Sequence, residues 1–279
     1  MATVSSISGI SDDLRLRVER VNPGPSQRVL LEQPTTRPLG NGQLRVAISE
    51  SPLSAVVPSG ATFRRYFPGL AESADFGDSR NLRDLKFDFS GRLWAVGSNL
   101  LSMTFQDQFR MSNLADVATS LDTGEWGCLT GLRNGSFVRH LPNGDFAESG
   151  TVAAEAITAI ASDGHKKVFG TVNGAIIVAE ADGSLETIRA AHTDQINAVA
   201  IAADGRFVRG GADRVVRLWS QTNELLCELP QSRPVRRVFL TADDSRLKIL
   251  AEGERAVRQW NLNAATVPYG RLLKVYDFR

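Results

Sequence analysis

Few side chains in this chain are spaced to do chemistry together. The three histidines, His140, His165 and His192, and the two cysteines, Cys128 and Cys227, show no metal-ligand spacing. Small buried thiols are the simpler reading of both cysteines. Asp12-Asp13 and Asp243-Asp244 are adjacent acids. Neighbours along a strand point to opposite faces, so such pairs rarely share a metal, and they read as solvated turn residues. There is no Gly-rich phosphate loop, nucleophile elbow or zinc spacing. The expectation is no catalytic residue, no metal and no cofactor. Arginine is the one chemically active type that clusters: Arg64-Arg65, Arg236-Arg237, and the set Arg206, Arg209, Arg214 and Arg217. A basic rim or a solvated strand face would each produce that pattern. Trp126, between Glu125 and Gly127, reads as core or as an exposed anchor.

Composition limits the partners. The chain has 279 residues, with 32 Lys and Arg against 31 Asp and Glu, and a net charge of +1. That balance argues against a nucleic-acid binder working by bulk charge, and leaves a local patch open. Hydrophobic residues are 42% and charged residues 23%, as in folded domains. Mean hydropathy is −0.14 and no apolar run approaches the roughly 18 residues a membrane helix needs. The opening MATVSSISGI lacks a basic stretch followed by an apolar one, so no secretory signal is read. With only two cysteines, the expected compartment is cytoplasmic.

The elements that must carry these residues announce themselves as repeats. Asn134-Gly135, Asn173-Gly174 and Asp213-Arg214 recur at 39 and 40 residues. Asn143-Gly144, Asp182-Gly183 and Thr222-Asn223 recur in phase at 39 and 40. Asp163-Gly164, Asp204-Gly205 and Asp244-Ser245 recur at 41 and 40. Such pairs favour tight hairpin turns, whose central residues need positive φ. Three turns per repeat mean four short strands. The runs between them fit: Ile196 to Ile201, Arg206 to Val208, Val215 to Trp219 and Leu225 to Leu229. Leu85 to Phe89, Leu93 to Val96 and Leu101 to Phe105 continue the pattern upstream, as do Leu44 to Ser49, Ala55 to Val57 and Ala61 to Phe67. Met111 to Ser120 and Thr151 to Ile160 resemble helices weakly, but the repeat phase makes them strand and loop.

Third strands are expected to end near Tyr66, Phe105, His140, Ala179, Trp219 and Trp260. Leu14 to Leu31 and Arg271 to Phe278 remain at the two ends, and Leu14 to Glu19 alternates as a strand does.

The segment from Ala191-His192-Thr193-Asp194-Gln195 through Gly210-Gly211-Ala212-Asp213 to Arg217-Leu218-Trp219 resembles a WD repeat, over residues 191–220. Arg255 to Trp260 resembles the same ending within residues 233–261, and the other repeats agree in spacing. The resemblance implies an all-β fold, a single β-propeller of four-stranded blades over residues 1–279. Residues 1–12 are expected to be a flexible extension. Seven blades are expected, with six as the alternative, closed by a strand from one terminus pairing with the other, as Leu14 to Glu19 or Leu272 to Tyr276 would.

It also implies structural roles for His192, Asp213, Trp219 and Trp260. In the family His bonds the turn Asp, and a Ser or Thr links His to the Trp ring. That hydroxyl place falls near Arg209 or Gly210 here, so the link is expected to be absent. A His–Asp pair also orients general bases, but no nucleophile accompanies this one. The rim of loops leading into each blade, the family's docking face, would carry Thr193, Asp194, Gln195, Arg214, Ser232, Arg233, Arg236 and Arg255. Lys166 and Lys167 fall away from it, between first and second strands. Three functions follow: a non-catalytic scaffold docking one or more proteins; a subunit contacting nucleic acid through an arginine-rich rim; a propeller enzyme with a central-channel site. The last needs convergent acids or histidines that the aligned positions do not supply. No small-molecule substrate is expected. The loose agreement among repeats, with much alanine and arginine, suits a bacterial source.

Overall fold

A computed structural model describes residues 6–10, 15–20, 27–32, 44–50, 53–59, 62–66, 74–76, 82–88, 90–105, 108–188, 192–240, 246–252, 256–261 and 271–277; side chains are described from residue 82 to 260, apart from 105, 108–109, 246, 248, 250 and 256–259. The described segments contain strands and turns and no helix. Met111 to Ser120 and Thr151 to Ile160 are strand ends and loops, as the repeat phase requires.

The N-terminal strands are β1 (Ser6–Ile10), β2 (Arg15–Arg20) and β3 (Gln27–Glu32). Six four-stranded units follow. Blade 1 is β4 (Leu44–Glu50), β5 (Leu53–Ser59), β6 (Thr62–Tyr66) and β7 (Ala74–Phe76). Blade 2 is β8 (Leu82–Phe87), β9 (Leu93–Gly97), β10 (Leu100–Phe105) and β11 (Gln108–Asn113). Blade 3 is β12 (Ala118–Gly124), β13 (Gly127–Leu132), β14 (Ser136–His140) and β15 (Phe146–Thr151). Blade 4 is β16 (Ile157–Ser162), β17 (Lys167–Thr171), β18 (Ile176–Ala179) and β19 (Leu185–Ile188). Blade 5 is β20 (Ile196–Ile201), β21 (Phe207–Gly211), β22 (Val215–Trp219) and β23 (Leu225–Pro230). Blade 6 is β24 (Val235–Leu240), β25 (Arg246–Ala251), β26 (Ala256–Asn261) and β27 (Arg271–Asp277).

Each blade is an antiparallel meander in chain order. The first strands pack side by side, β4 on β8, β8 on β12, β12 on β16, β16 on β20 and β20 on β24. Among the described residues six four-stranded units are complete, the number of the alternative. β2 and β3 form a separate two-stranded sheet, and β1 pairs with β4, so Ser6–Ile10 lies within a sheet. The ends meet through β1 against β24. Neither expected closing strand makes the inter-terminal ladder. Leu14 to Glu19 falls largely in β2, paired with β3, and Leu272 to Tyr276 lies in β27, the fourth strand of its own blade.

The turn signals act as their chemistry requires. Gly135, Gly144, Gly164, Gly174, Gly183 and Gly205 all have positive φ. Where the fifth blade lacks glycine, Arg214 (φ 66°) and Asn223 (φ 64°) take the left-handed conformation instead. Third strands end where the spacing placed them, with His140 opposite Cys128, Ala179 opposite Lys167, and Trp219 opposite Phe207.

The core lies between blades. One apolar cluster joins blades 2 and 3 and another joins 3 and 4; two more join 4 to 5 and 5 to 6. At three of these junctions a glycine in the second strand faces the first residue of the next blade. A Cβ on Gly131 would lie 2.6 Å from Ile157, one on Gly170 2.5 Å from Ile196, and one on Gly210 2.3 Å from Val235. Ile157, Ile196 and Val235 are fully buried. Between blades 2 and 3 the sizes are exchanged. Val96 stands at the glycine position, by its pairing with Asp84 and Leu101, and the incoming residue is Ala118.

That exchange generates a test. Gly170→Val alone should cost about 1–3 kcal/mol or more by overpacking. Adding Ile196→Ala, which copies the Val96–Ala118 junction, should recover at least half of the loss in urea melts. Additive losses in the double variant would show that the two positions do not share one space.

Candidate functional site

The clearest side-chain constellation sits where blade 4 hands over to blade 5. His192 is 2% exposed, and its Nδ1 lies 2.8 Å from both oxygens of Asp213. A carboxylate only accepts, so the two Asp213 contacts assign the proton to Nδ1, although Arg217 Nη1 also lies 2.7 Å from that nitrogen, drawn in by the Asp213 oxygen both approach. Asp213 also accepts from Arg217 Nη1 at 2.8 Å and from the Val215 backbone N–H at 3.2 Å. Arg217 reaches onward through Nε to Glu228 at 2.6 Å. Composition had marked Arg217 only as one of four clustered arginines; its pairing with Asp213 four residues away and with Glu228 across the ladder gives it a defined role.

The structure also decides between the two places considered for the missing hydroxyl. Gly210 faces Val235 of blade 6, whereas Arg209 lies over the Trp219 ring, its guanidinium carbon 3.9 Å from the ring centroid. Arg209 is fully buried and none of its three guanidinium nitrogens has a hydrogen-bond partner. His192 Nε2 and Trp219 Nε1 are unpartnered too. A Ser or Thr hydroxyl in this space would donate to the first and accept from the second; Arg209 offers only donors. Trp219 compensates by packing, stacked on Phe207 at 6.0 Å with 9° between planes. Trp260 packs on the cluster between blades 5 and 6, and its Nε1 is likewise buried without a partner. The ordinary satisfied case is Trp94 in blade 2, whose Nε1 donates to Asp88 at 2.9 Å.

Burial sets the charge states. It pulls His192 down to about 4, against the Asp213 hydrogen bond, so the ring is neutral. It pulls Arg209 down to about 8, helped by repulsion from Arg217. For Asp213, burial pushes upward, but the Arg217 and His192 hydrogen bonds prevail and hold it below the ordinary range.

The expected docking residues gather at one end. Thr193, Asp194, Arg214, Ser232 and Arg233 are exposed and Gln195 is half-buried. Ladders between turns and loops bring them together: the His192 N–H donates to the Gly174 carbonyl at 3.0 Å, Ala212 N–H to Gln195 at 2.8 Å, and Gln231 N–H to Arg214 at 2.7 Å. Arg236 is set back, at the start of β24, and pairs with Glu252 at 2.9 Å. Arg255 lies outside the described residues. Trp126 is half-buried against the cluster between blades 3 and 4. Lys166, remote from this rim, is not a solvated charge: it is 5% exposed and clamps blade 4 to blade 5, with Nζ 2.8 Å from the Gln221 carbonyl and 2.9 Å from Asn223 Oδ1.

The first strands enclose a central channel of about 550 Å³, lined among others by Arg83, Asp84, Lys86, Asp122, Arg236 and Arg237. The first strands of blades 2 to 6 each carry a register break after the opening residue. The extra residues, Arg83, Thr119, Thr158, Asn197 and Arg236, all line the channel. Asn197 reaches the next blade, donating to the Val235 carbonyl at 2.9 Å. The two channel carboxylates are occupied: Asp84 by Arg237 at 3.2 Å, Asp122 by Lys86 at 2.8 Å and by the Ser162 backbone N–H at 2.8 Å. Local motif searching missed them; they appear once the first strands are aligned on their register breaks. Among the described residues no three His, Cys, Asp or Glu side chains cluster as a metal site.

No family model matches the chain. No curated protein matches it. Solved structures do. A chain of the "Crystal Structure of Mitotic Checkpoint Complex" superposes with a TM-score of 0.70, covering 80% of this chain and 76% of that one at 12% sequence identity. The fold is a β-propeller. At that identity the likeness is one of fold, reached through spacing and packing, and the residue chemistry of this chain is its own.

Two measurements probe the blade 4–5 constellation. His192 has a folded value near 4 against an ordinary 6.5, so the unfolded chain binds its proton first. Its contribution is intact above about pH 6.5 and should fade toward pH 4, by about 1.4 kcal/mol per pH unit. His192→Gln should flatten that part of the melting profile; an unchanged slope would exclude His192 as its source. Separately, Arg209→Met keeps the volume and removes a buried unpaired charge, so it should stabilise the chain by about 1–4 kcal/mol. A lower melting temperature would show that the guanidinium has a partner.

Proposed function

We propose that this chain is a non-catalytic interaction subunit that docks another protein on the rim carrying Thr193, Asp194, Arg214, Ser232 and Arg233. The observation that supports this reading is a loop surface of mixed charge held by backbone ladders on a rigid stack of blades. Loops fixed by a scaffold are where recognition concentrates. The structural neighbour is a chain of a mitotic checkpoint complex, which agrees with a subunit role. The channel supports an enzyme less well, because Asp84 and Asp122 are each held by a cation and neither is poised toward open space as a base.

The test is charge reversal on the rim. Arg233→Glu with Asp194→Lys should weaken binding to the partner purified with the chain by about tenfold or more, an effect of roughly 1.4 kcal/mol. Melting should barely change, since exposed charges contribute little to stability. Arg206→Glu, at the opposite end beside Asp204, is the control. Equal weakening by the control would reveal non-specific attraction, and no weakening by the rim variant would move the interface elsewhere.

A further inference from the structure

The rim and the channel mouth share an asymmetry in their charges. Arg83, Arg214 and Arg233 are exposed, and their guanidinium groups make no hydrogen bond or ion pair among the described residues. Arg83 and Arg236 occupy the extra position of the register break in β8 and β24, which brings both into the channel lining. Arg214 is tied to the loop bearing Arg233 by the Gln231 N–H, 2.7 Å from its carbonyl.

Carboxylates in this sector are already engaged. Glu252 holds Arg236, Asp84 holds Arg237, and Asp194 accepts the Gln195 N–H at 2.7 Å. Arg237 keeps a buried Nε with no partner. At the opposite end the cations are matched: Arg92 pairs with Asp88, Lys166 with Glu180, and Arg206 with Asp204. Among the described residues, the exposed guanidinium groups left unmatched therefore gather at one end.

We infer that the partner segment docking on this rim is acidic, an extended run whose Asp or Glu carboxylates meet Arg214 and Arg233 on the rim and Arg83 at the channel mouth. This rests on the rim-docking reading and adds the chemistry of the partner. A planar guanidinium pairs with a carboxylate through two parallel N–H···O bonds, so separated arginines read spaced carboxylates. Asp194 and Glu252 stand among the arginines, and the whole chain carries only +1. A phosphodiester backbone charges every unit along its length and would meet those acids, whereas a polypeptide places charge only where a guanidinium waits. The observations thus favour an acidic peptide over nucleic acid.

Fluorescence anisotropy of the full chain with defined probes decides it. The probes are a labelled peptide alternating Glu and Ser, its Gln counterpart, and an oligothymidylate of equal charge. Saturable binding of the Glu peptide, about tenfold tighter than the Gln peptide, is expected, a difference of roughly 1.4 kcal/mol. Arg83→Gln and Arg233→Gln should each lose several-fold, and Arg206→Gln nothing, with melting temperatures unchanged. Equal binding of Glu and Gln peptides overturns the inference, as does equal loss with Arg206→Gln or tighter binding of the oligonucleotide. If the purified partner still depends on Arg233 while the Glu peptide fails to bind, rim docking stands and the acidic chemistry falls. If neither depends on Arg233, both fall.

Discussion

A glycine near the end of the second strand sets the distance between blades at three junctions. Gly131, Gly170 and Gly210 leave the space into which Ile157, Ile196 and Val235 of the following blade are pressed. Stacked sheets have both faces covered, so a blade contributes apolar surface to both neighbours, and four of the five apolar clusters among the described residues span two blades. The Val96–Ala118 junction, with large and small exchanged, shows that combined volume is what this contact conserves, as close packing demands. The apolar clusters, the side-by-side first strands and the channel they enclose all follow from that spacing.

Polar contacts across blades operate within it. Thr158 donates to the Ile196 carbonyl, Asn197 to Val235, and Lys166 reaches the turn at Gln221. They satisfy groups that stacking would otherwise bury unpaired. Arg209 is an exception, with all three guanidinium nitrogens unpartnered. Its charge occupies a place suited to a hydroxyl, and stacking on Trp219 recovers only part of what dehydration takes. The His192–Asp213–Arg217 constellation beside it is best understood as a brace for the rim, because Asp213 anchors the turn carrying Arg214 and His192 anchors the loop carrying Thr193 and Asp194.

Much of the fold was legible in the chain, for local reasons. Asn-Gly and Asp-Gly pairs at 39 to 41 residues specify turns of positive φ wherever they occur. The runs between them have the length and branching of strands. His192, Asp213 and Trp219 were legible because one repeat keeps a recognisable pattern. The rim loops followed from the repeat phase, since every blade turns back at the same two ends.

What the chain did not reveal are quantities that depend on neighbours from other blades. Sequence determined the meander, its turns and the ends of its third strands, because backbone conformation and alternation are local. Only the tertiary structure decided that six four-stranded units form among the described residues, that β1 rather than Leu14 to Glu19 or Leu272 to Tyr276 meets the far end, and that Lys166 and Arg209 are buried while the side chains of Arg83, Arg214 and Arg233 stay free. A lysine or arginine reads the same in sequence whether it lies on a solvated strand or in the seam between two sheets. For Lys166 its surroundings are set by residues 55 and 57 positions away, and those meet it only once the blades have stacked.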